Sequence, residues 1–291
     1  MVRGAVYGLT AAAIWGGMYV VSDVVLPVIP PFTLLTLRLV LGGAVLLGLL
    51  AYQRRNGNGP AFPHRADLPA LLGVGIIGFG VSIGAQFVGT DLSTAINGSV
   101  VTSASPAFIV LFAALILRER LTVRRVLAVG LASVGVLLIL DLSQANFSSD
   151  TFRGDVSLAV AAVTWALYSV LVRRVSRNRD TLVVTLAAFA GGLFLTAPAA
   201  LIESGTRPIG EITPAIVLGV LYLGVISTAV AMWMWNRAFA LVDASVASLF
   251  FFAQPVVGAA LSVILLGQPL TAPLIAGSVL IAAGVLLALR G

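Results

Sequence analysis

The chain has 291 residues, 59% of them hydrophobic and 10% charged, with a mean hydropathy of +1.09. Soluble globular domains run nearer half apolar and a quarter charged, so a water-exposed fold is excluded and lipid is the solvent that fits this composition. The formal charge of +6 would suggest nucleic acid in a soluble protein, but here all 17 basic residues are arginines, nearly all in or beside short connections, the placement that orients a chain in a bilayer. There is no cysteine, and the single histidine, His64, lies in a polar loop. Thiolate and histidine-rich metal sites are therefore excluded, no cofactor is expected, and the expected partners are membrane lipid and a small-molecule substrate.

A helix needs about 20 apolar residues to cross a bilayer. The first such run, 4–21, is long and lacks an Ala-x-Ala cleavage site at its end, so it reads as a retained helix rather than a signal peptide. The next, 31–51, is followed by a polar loop, 52–67, containing Asn56-Gly57-Asn58-Gly59-Pro60. Runs 68–89, 93–117 and 124–141 come next, then a second loop, 142–153, and runs 154–172, 180–202, 213–236, 243–266 and 270–289. Glycine-rich apolar runs of this length do not fit barrel strands. The expected fold is an all-α polytopic membrane protein with ten transmembrane helices.

Cytoplasmic segments collect arginine. With the N-terminus inside, the inner segments hold Arg3, the 54–65 group, the 118–125 group, the 173–179 group, Arg237 and Arg290. The outer segments hold only Arg153 and Arg207. Both termini are therefore expected in the cytoplasm.

The chain also repeats itself. An offset of 149 pairs Pro106 with Pro255, Leu121-Thr122 with Leu270-Thr271, Gly135 with Gly284, Leu137 with Leu286, Ala95 with Ala244 and Gly42-Gly43 with Gly191-Gly192. An offset of 150 aligns Arg3–Trp15 with Arg153–Trp165. Each repeat holds five spans, an odd number, so the second must cross the membrane in the opposite sense. The expected organisation is a five-helix repeat over 1–141, a periplasmic connection over 142–153, and an inverted repeat over 154–291. A duplication kept only for folding would leave the same trace, but inverted repeats are the usual way to place two gates around one site.

Two repeats that each run from a proline through an apolar stretch to a leucine-threonine step and a glycine-bearing helix resemble the drug/metabolite transporter superfamily, in its ten-helix EamA-type branch. The residues that carry this are Pro106, Glu119-Arg120-Leu121, Gly130 and Gly135, then Pro255, Gly267, Leu270-Thr271, Gly277 and Gly284. Size and helix number also suit the YddG-type amino-acid exporters. The resemblance spans essentially the whole chain, with one departure at Gln268, where the family pattern often has glutamate. It implies a secondary transporter of the bacterial inner membrane that exports small metabolites, amino acids of broad specificity above all, by alternating access without ATP hydrolysis.

Matched helix breakers point to a transporter's site, which makes Pro106 and Pro255 candidate kinks or gates. Asn97, Ser99, Thr102, Ser103 and Ser105 precede the first, and Ser245, Ser248 and Gln254 the second; such groups either glue helices or meet a ligand. Gly80 and Gly84 mark a close-packing face on the third run, which also carries Gln86; the repeat places Trp235-Asn236 opposite Gln86. Trp15 and Trp165 are repeat mates near mid-membrane, with Tyr19 and Tyr168 one turn beyond them. They either pack or line a cavity that meets an ammonium group. Arg38 is the one charge deep in a span; it either snorkels outward or holds a substrate carboxylate. The substrate-site candidates are thus Trp15, Tyr19, Arg38, Gln86, Thr102, Trp165, Tyr168, Asn236 and Gln254.

No carboxylate falls in the middle of a span, since Asp23, Asp91, Glu119, Asp141 and Asp243 sit near ends. That favours a facilitator or exchanger over tight proton coupling. The sequence has no phosphate-binding glycine loop with its lysine. A drug or lipid flippase is an alternative on the same fold. An intramembrane enzyme is a remote one, because no catalytic residue set is present.

Overall fold

The computed structural model describes residues 2–93, 101, 103–139, 151–266 and 271–289. Every regular segment among them is helical. Helix α1 is Val2–Val25 and α2 is Pro31–Arg55. Proline opens α2 at a position where its missing N–H has no helical acceptor. One tight turn, Arg65–Asp67, leads into α3, which consists of Leu68–Gly75, Ile76–Ser82 and Ile83–Leu92 in succession. Helix α4 is Ser105–Leu117, α5 is Val123–Ile139, α6 is Phe152–Val175 and α7 is Thr181–Ser204. Helix α8 joins Pro214–Leu221, Tyr222–Val230 and Ala231–Leu241. Helix α9 joins Ala244–Ala247, Ser248–Phe252 and Ala253–Leu266, and α10 is Ala272–Leu289.

Among the described residues five stretches are long and apolar enough to cross a membrane: Pro31–Arg55, Arg65–Thr90, Phe152–Val175, Thr181–Ser204 and Pro214–Leu241. Ser105–Leu117 is apolar but short, covering about 20 Å at 1.5 Å per residue. Residues 94–100 and 102 of the run 93–117 lie outside the described residues. The expectation of an all-helical membrane protein holds.

Lipid tails are as apolar as leucine, so the helices gain nothing from hydrophobic burial alone and must fit closely. Helix α5 packs on α10, and α2 on α7; α1 contacts α8 and α9, while α6 contacts α3 and α4. Helix α2 also meets α8, as α7 meets α3. Exchanging α1–α5 with α6–α10 maps this set of contacts onto itself.

Close glycine crossings follow the same exchange. A Cβ on Gly135 of α5 would lie 2.6 Å from the Gly277 carbonyl oxygen of α10, and one on Gly284 2.7 Å from the Ala128 oxygen. The 149-residue offset turns the pair 135/277 into 284/128. Likewise Gly42 of α2 abuts the Gly224 oxygen of α8, while Gly191 of α7 abuts the Leu72 oxygen of α3, close to Gly75; here 42 becomes 191 and 75 becomes 224.

Helices α3 and α8 share another feature, which the sequence did not reveal. Their central segments, Ile76–Ser82 and Tyr222–Val230, are π-helical and sit at corresponding places in the two halves. Widened turns of this kind misalign backbone groups and often mark functional sites. Pro106 and Pro255 each stand near the start of an α-helical segment inside the runs 93–117 and 243–266. Pro106 lies in the first turn of α4. Pro255 lies in the first turn of Ala253–Leu266, just after the tight 3-10 turns of Ser248–Phe252.

The glycine crossings make a direct prediction. Gly135→Leu and Gly277→Leu should each force α5 from α10 and destabilise the protein by about 2 kcal/mol or more. Gly130→Leu, on α5 with open space around it, should change stability by less than about 0.5 kcal/mol. The check is the fraction of each variant that stays monodisperse after heating in detergent.

Candidate functional site

Three tryptophans meet at the centre of the molecule, one each from α1, α6 and α8. The repeat mates Trp15 and Trp165 lie edge to face with ring centroids 5.8 Å apart. Trp235, which the sequence placed only as a neighbour of Asn236, completes the group at 5.2 Å from Trp15 and 6.4 Å from Trp165. All three are buried. Their N–H groups fare differently. Trp15 Nε1 donates to the Ser227 carbonyl at 2.9 Å, within the π-helical turns of α8. Trp235 Nε1 donates to Ser169 Oγ at 3.4 Å. Among the described residues Trp165 Nε1 is buried and has no hydrogen-bond partner, and the same holds for Ser227 Oγ.

A polar chain runs beside this cluster. The Tyr168 hydroxyl donates to Asn236 Oδ1 at 3.0 Å, and Asn236 Nδ2 donates to Thr185 Oγ1 at 3.0 Å. The Thr185 hydroxyl in turn donates to the Thr181 carbonyl at 2.7 Å. Three helices, α6, α8 and α7, are thus joined through side chains that are buried. Burial is affordable only because each polar atom is paired.

Arg38 does not snorkel. It is 3% exposed and turns toward α8, where Nε donates to Thr228 Oγ1 at 3.0 Å and Nη2 approaches Met18 Sδ at 3.3 Å. Thr228 itself donates to the Leu223 carbonyl five residues back, as the widened turn permits. No carboxylate contacts the guanidinium among the described residues. Ser227 and Thr228 are consecutive, so one short stretch of α8 anchors both Trp15 and Arg38 and brings the aromatic cluster next to the buried cation.

Gln86 is half-buried on α3, and Gln254 is buried on α9. Ser105, Ser245 and Ser248 are buried near the starts of α4 and α9. Thr102, Asn97, Ser99 and the side chain of Tyr19 lie outside the described residues. The structure therefore gathers Trp15, Trp165, Tyr168, Asn236 and Arg38 around the turns of α8, while Gln86 and Gln254 sit on other helices. The missed members, Trp235, Thr185 and Thr228, had weak signals: Trp235 adjoined a candidate, and the two threonines were ordinary-looking span residues.

The two ends of the bundle differ. At one, Glu119 follows α4 and folds back onto the start of α9. Its carboxylate accepts from the Ala244 N–H at 2.8 Å, the Ser245 N–H at 3.2 Å and Ser245 Oγ at 2.7 Å. Arg173 of α6 reaches it at 3.2 Å and Arg125 of α5 at 3.8 Å, and both arginines also grip Asp243. Arg118 makes the fold-back possible by ending α4 in the left-handed region, at φ 57°. At the other end Glu203 of α7 accepts from the N–H and hydroxyl of Thr33 on α2, at 2.9 and 3.1 Å. A cavity of about 330 Å³ indents the surface there, bordered by Phe32, Phe87, Glu203 and Thr206.

A buried aromatic and polar centre thus lies between an ion-paired end and a cavity-lined end, and similarity to known proteins gives the class of the molecule. The chain belongs to the EamA-like transporter family, which matches residues 2–141 and residues 152–290. It is 27% identical to an uncharacterized transporter of Archaeoglobus fulgidus, over 83% of this chain and 82% of that protein. It is also 27% identical to a probable amino-acid metabolite efflux pump of Salmonella typhimurium, over 95% of this chain and 91% of that protein. A protein crystal structure shares the fold with a TM-score of 0.83 at 24% identity, covering 98% of each chain. The family and these relatives are transporters, not enzymes.

The Tyr168–Asn236–Thr185 chain can be tested by a double-mutant cycle. Asn236→Leu should cost about 1–3 kcal/mol by stranding the Tyr168 hydroxyl. Adding Tyr168→Phe should cost less than the sum of the single changes, with a coupling of about 1 kcal/mol between the two positions. Thermal unfolding in detergent measures all four corners.

Proposed function

We propose that the protein is a secondary transporter that moves amino acids or closely related zwitterionic metabolites out of the cell by alternating access, without ATP hydrolysis. In this reading it spans the bacterial inner membrane ten times as two inverted five-helix repeats, with both termini in the cytoplasm. The observation that carries the substrate class is the buried Arg38 guanidinium, set beside an aromatic cluster and facing no carboxylate among the described residues. A cation in that position is costly without an anion to meet it, and a substrate carboxylate supplies one through charge-assisted hydrogen bonds. The faces of Trp15, Trp165 and Trp235 are a suitable counterpart for the substrate's ammonium, and the unpartnered Trp165 N–H is a further donor. The efflux-pump name of the Salmonella relative points the same way.

The inverted arrangement draws support from the exchange symmetry of the helix contacts and glycine crossings, and from a family match that falls on each half separately. Alternating access then follows from mobility of the two ends. The Glu119–Arg173–Asp243 network shuts one end, and substrate release at the other requires the Thr33–Glu203 contact to part. Gln86, Thr102, Gln254 and Tyr19 are second-line candidates for lining the path, and Pro106, in the first turn of α4, and Pro255, in the interior of α9, are candidate pivots.

Reconstituted in liposomes, the protein should exchange labelled neutral amino acids, with little dependence on a pH gradient. Arg38→Gln should lower that flux about ten- to a hundred-fold, the equivalent of roughly 1.5–3 kcal/mol for a charged hydrogen bond, while Arg38→Lys should retain part of it. A panel of neutral, acidic and basic amino acids giving no flux above empty vesicles would sink the proposal.

A further inference from the structure

A second cavity, of about 380 Å³, opens at the end of the bundle closed by Glu119. Five arginines border it: Arg118 and Arg120 after α4, Arg125 of α5, Arg173 of α6, and Arg177 just after α6. Only two carboxylates, Glu119 and Asp243, face them. Both are already committed. Each is ion-paired to Arg125 and Arg173, and Glu119 in addition takes two N–H groups and a hydroxyl at the start of α9. Arg118, Arg120 and Arg177 meet no carboxylate among the described residues. Three guanidinium groups are therefore left to set the charge of the cavity.

This concentration stands out in a chain only 10% charged. Backbone geometry does not demand it. At φ 57° the Arg118 position favours glycine, and the corresponding position of the other repeat is Gly267. Beside the arginines, Leu121 and Val123 are 51% and 77% exposed, an apolar shelf suited to lipid tails. Guanidinium groups, planar and forked, match phosphate oxygens two at a time, and basic pockets between transmembrane helices suit phosphate headgroups.

We propose that this cavity binds a phosphate-bearing anion, carried on an acidic phospholipid headgroup or free in solution, with Arg118, Arg120 and Arg177 as its ligands. The site is separate from the Arg38 centre and does not depend on what that centre carries. Arg118 and Arg120 come from the first half of the chain and Arg177 from the second, so the bound anion ties the halves together and adds to the closure made by Glu119.

The test uses the full-length protein in nanodiscs of phosphatidylcholine, with and without phosphatidylglycerol, and reads retained lipid by native mass spectrometry together with the thermal midpoint. Phosphatidylglycerol should be retained in preference to phosphatidylcholine and should raise the midpoint. Each single change, Arg118→Gln, Arg120→Gln or Arg177→Gln, should weaken retention about five-fold, the value of about 1 kcal/mol per arginine near an anionic headgroup. The triple Arg→Lys variant keeps the charge that orients the chain and should still bind several-fold more weakly, because the forked contacts are lost. Arg174→Gln, on α6 but outside the cavity, should leave binding unchanged. Stabilisation by inorganic phosphate or glycerol phosphate but not by phosphatidylglycerol would identify a soluble ligand for the same residues. Equal retention of both lipids, with no response to phosphate and no difference between wild type and the triple variant, would overturn the proposal.

Discussion

Close approach of helix backbones is the constraint from which the rest of this molecule follows. In lipid, helices cohere through contact at van der Waals distance rather than through burial of apolar surface. Gly135 against Gly277 and Gly284 against Ala128 bring α5 onto α10, and Gly42 against Gly224 brings α2 onto α8. The last crossing matters most for the site. Gly42 lies one turn beyond Arg38, and Gly224 belongs to the π-helical stretch that also holds Ser227 and Thr228. Bringing those backbones together sets the guanidinium against Thr228 and, through Ser227, fixes Trp15.

Two similar halves have nonetheless produced an asymmetric centre. Thr36 and Thr185 occupy matching positions on α2 and α7, yet Thr185 joins the chain through Asn236 while Thr36 Oγ1 is buried without a partner among the described residues. Arg38 has no counterpart, since the matching residue is Ala187. Glu119, which ties α4 to the start of α9, corresponds to Gln268. Backbone contacts are thus shared between the halves, and at these two positions charge is confined to one copy. A symmetric scaffold holding an asymmetric charge pattern suits a site that must bind one end of a zwitterion differently from the other.

Much of this could be read from the sequence, because it rests on period and length. Helix extents follow from apolar runs that must match a bilayer, and the observed α2, α7 and α10 begin and end within a few residues of them. The partnership of Trp15 with Trp165 followed from register alone. What stayed hidden depends on geometry that no residue type encodes. Glycine in Gly75–Gly80 and around Gly224 was visible, but π-helical turns depend on how neighbouring helices pull the backbone. Proline was visible at both places, but the 3-10 turns of Ser248–Phe252 that precede Pro255 within α9 carry no sequence signal of their own. The grip of Glu119 on α9 joins residues 125 positions apart, across a turn that only the left-handed Arg118 makes possible.

The central claim is that one five-helix unit occurs twice in opposite orientation. Thr122 and Thr271 are matched by the repeat, both are exposed, and the chain contains no cysteine of its own. A membrane-impermeant thiol reagent applied to intact cells can therefore report on each position singly. Thr271→Cys should react without permeabilisation, and Thr122→Cys only after the membrane is opened. Reaction of both from the same face would contradict the inverted repeat, and with it the two-gate mechanism built on that repeat.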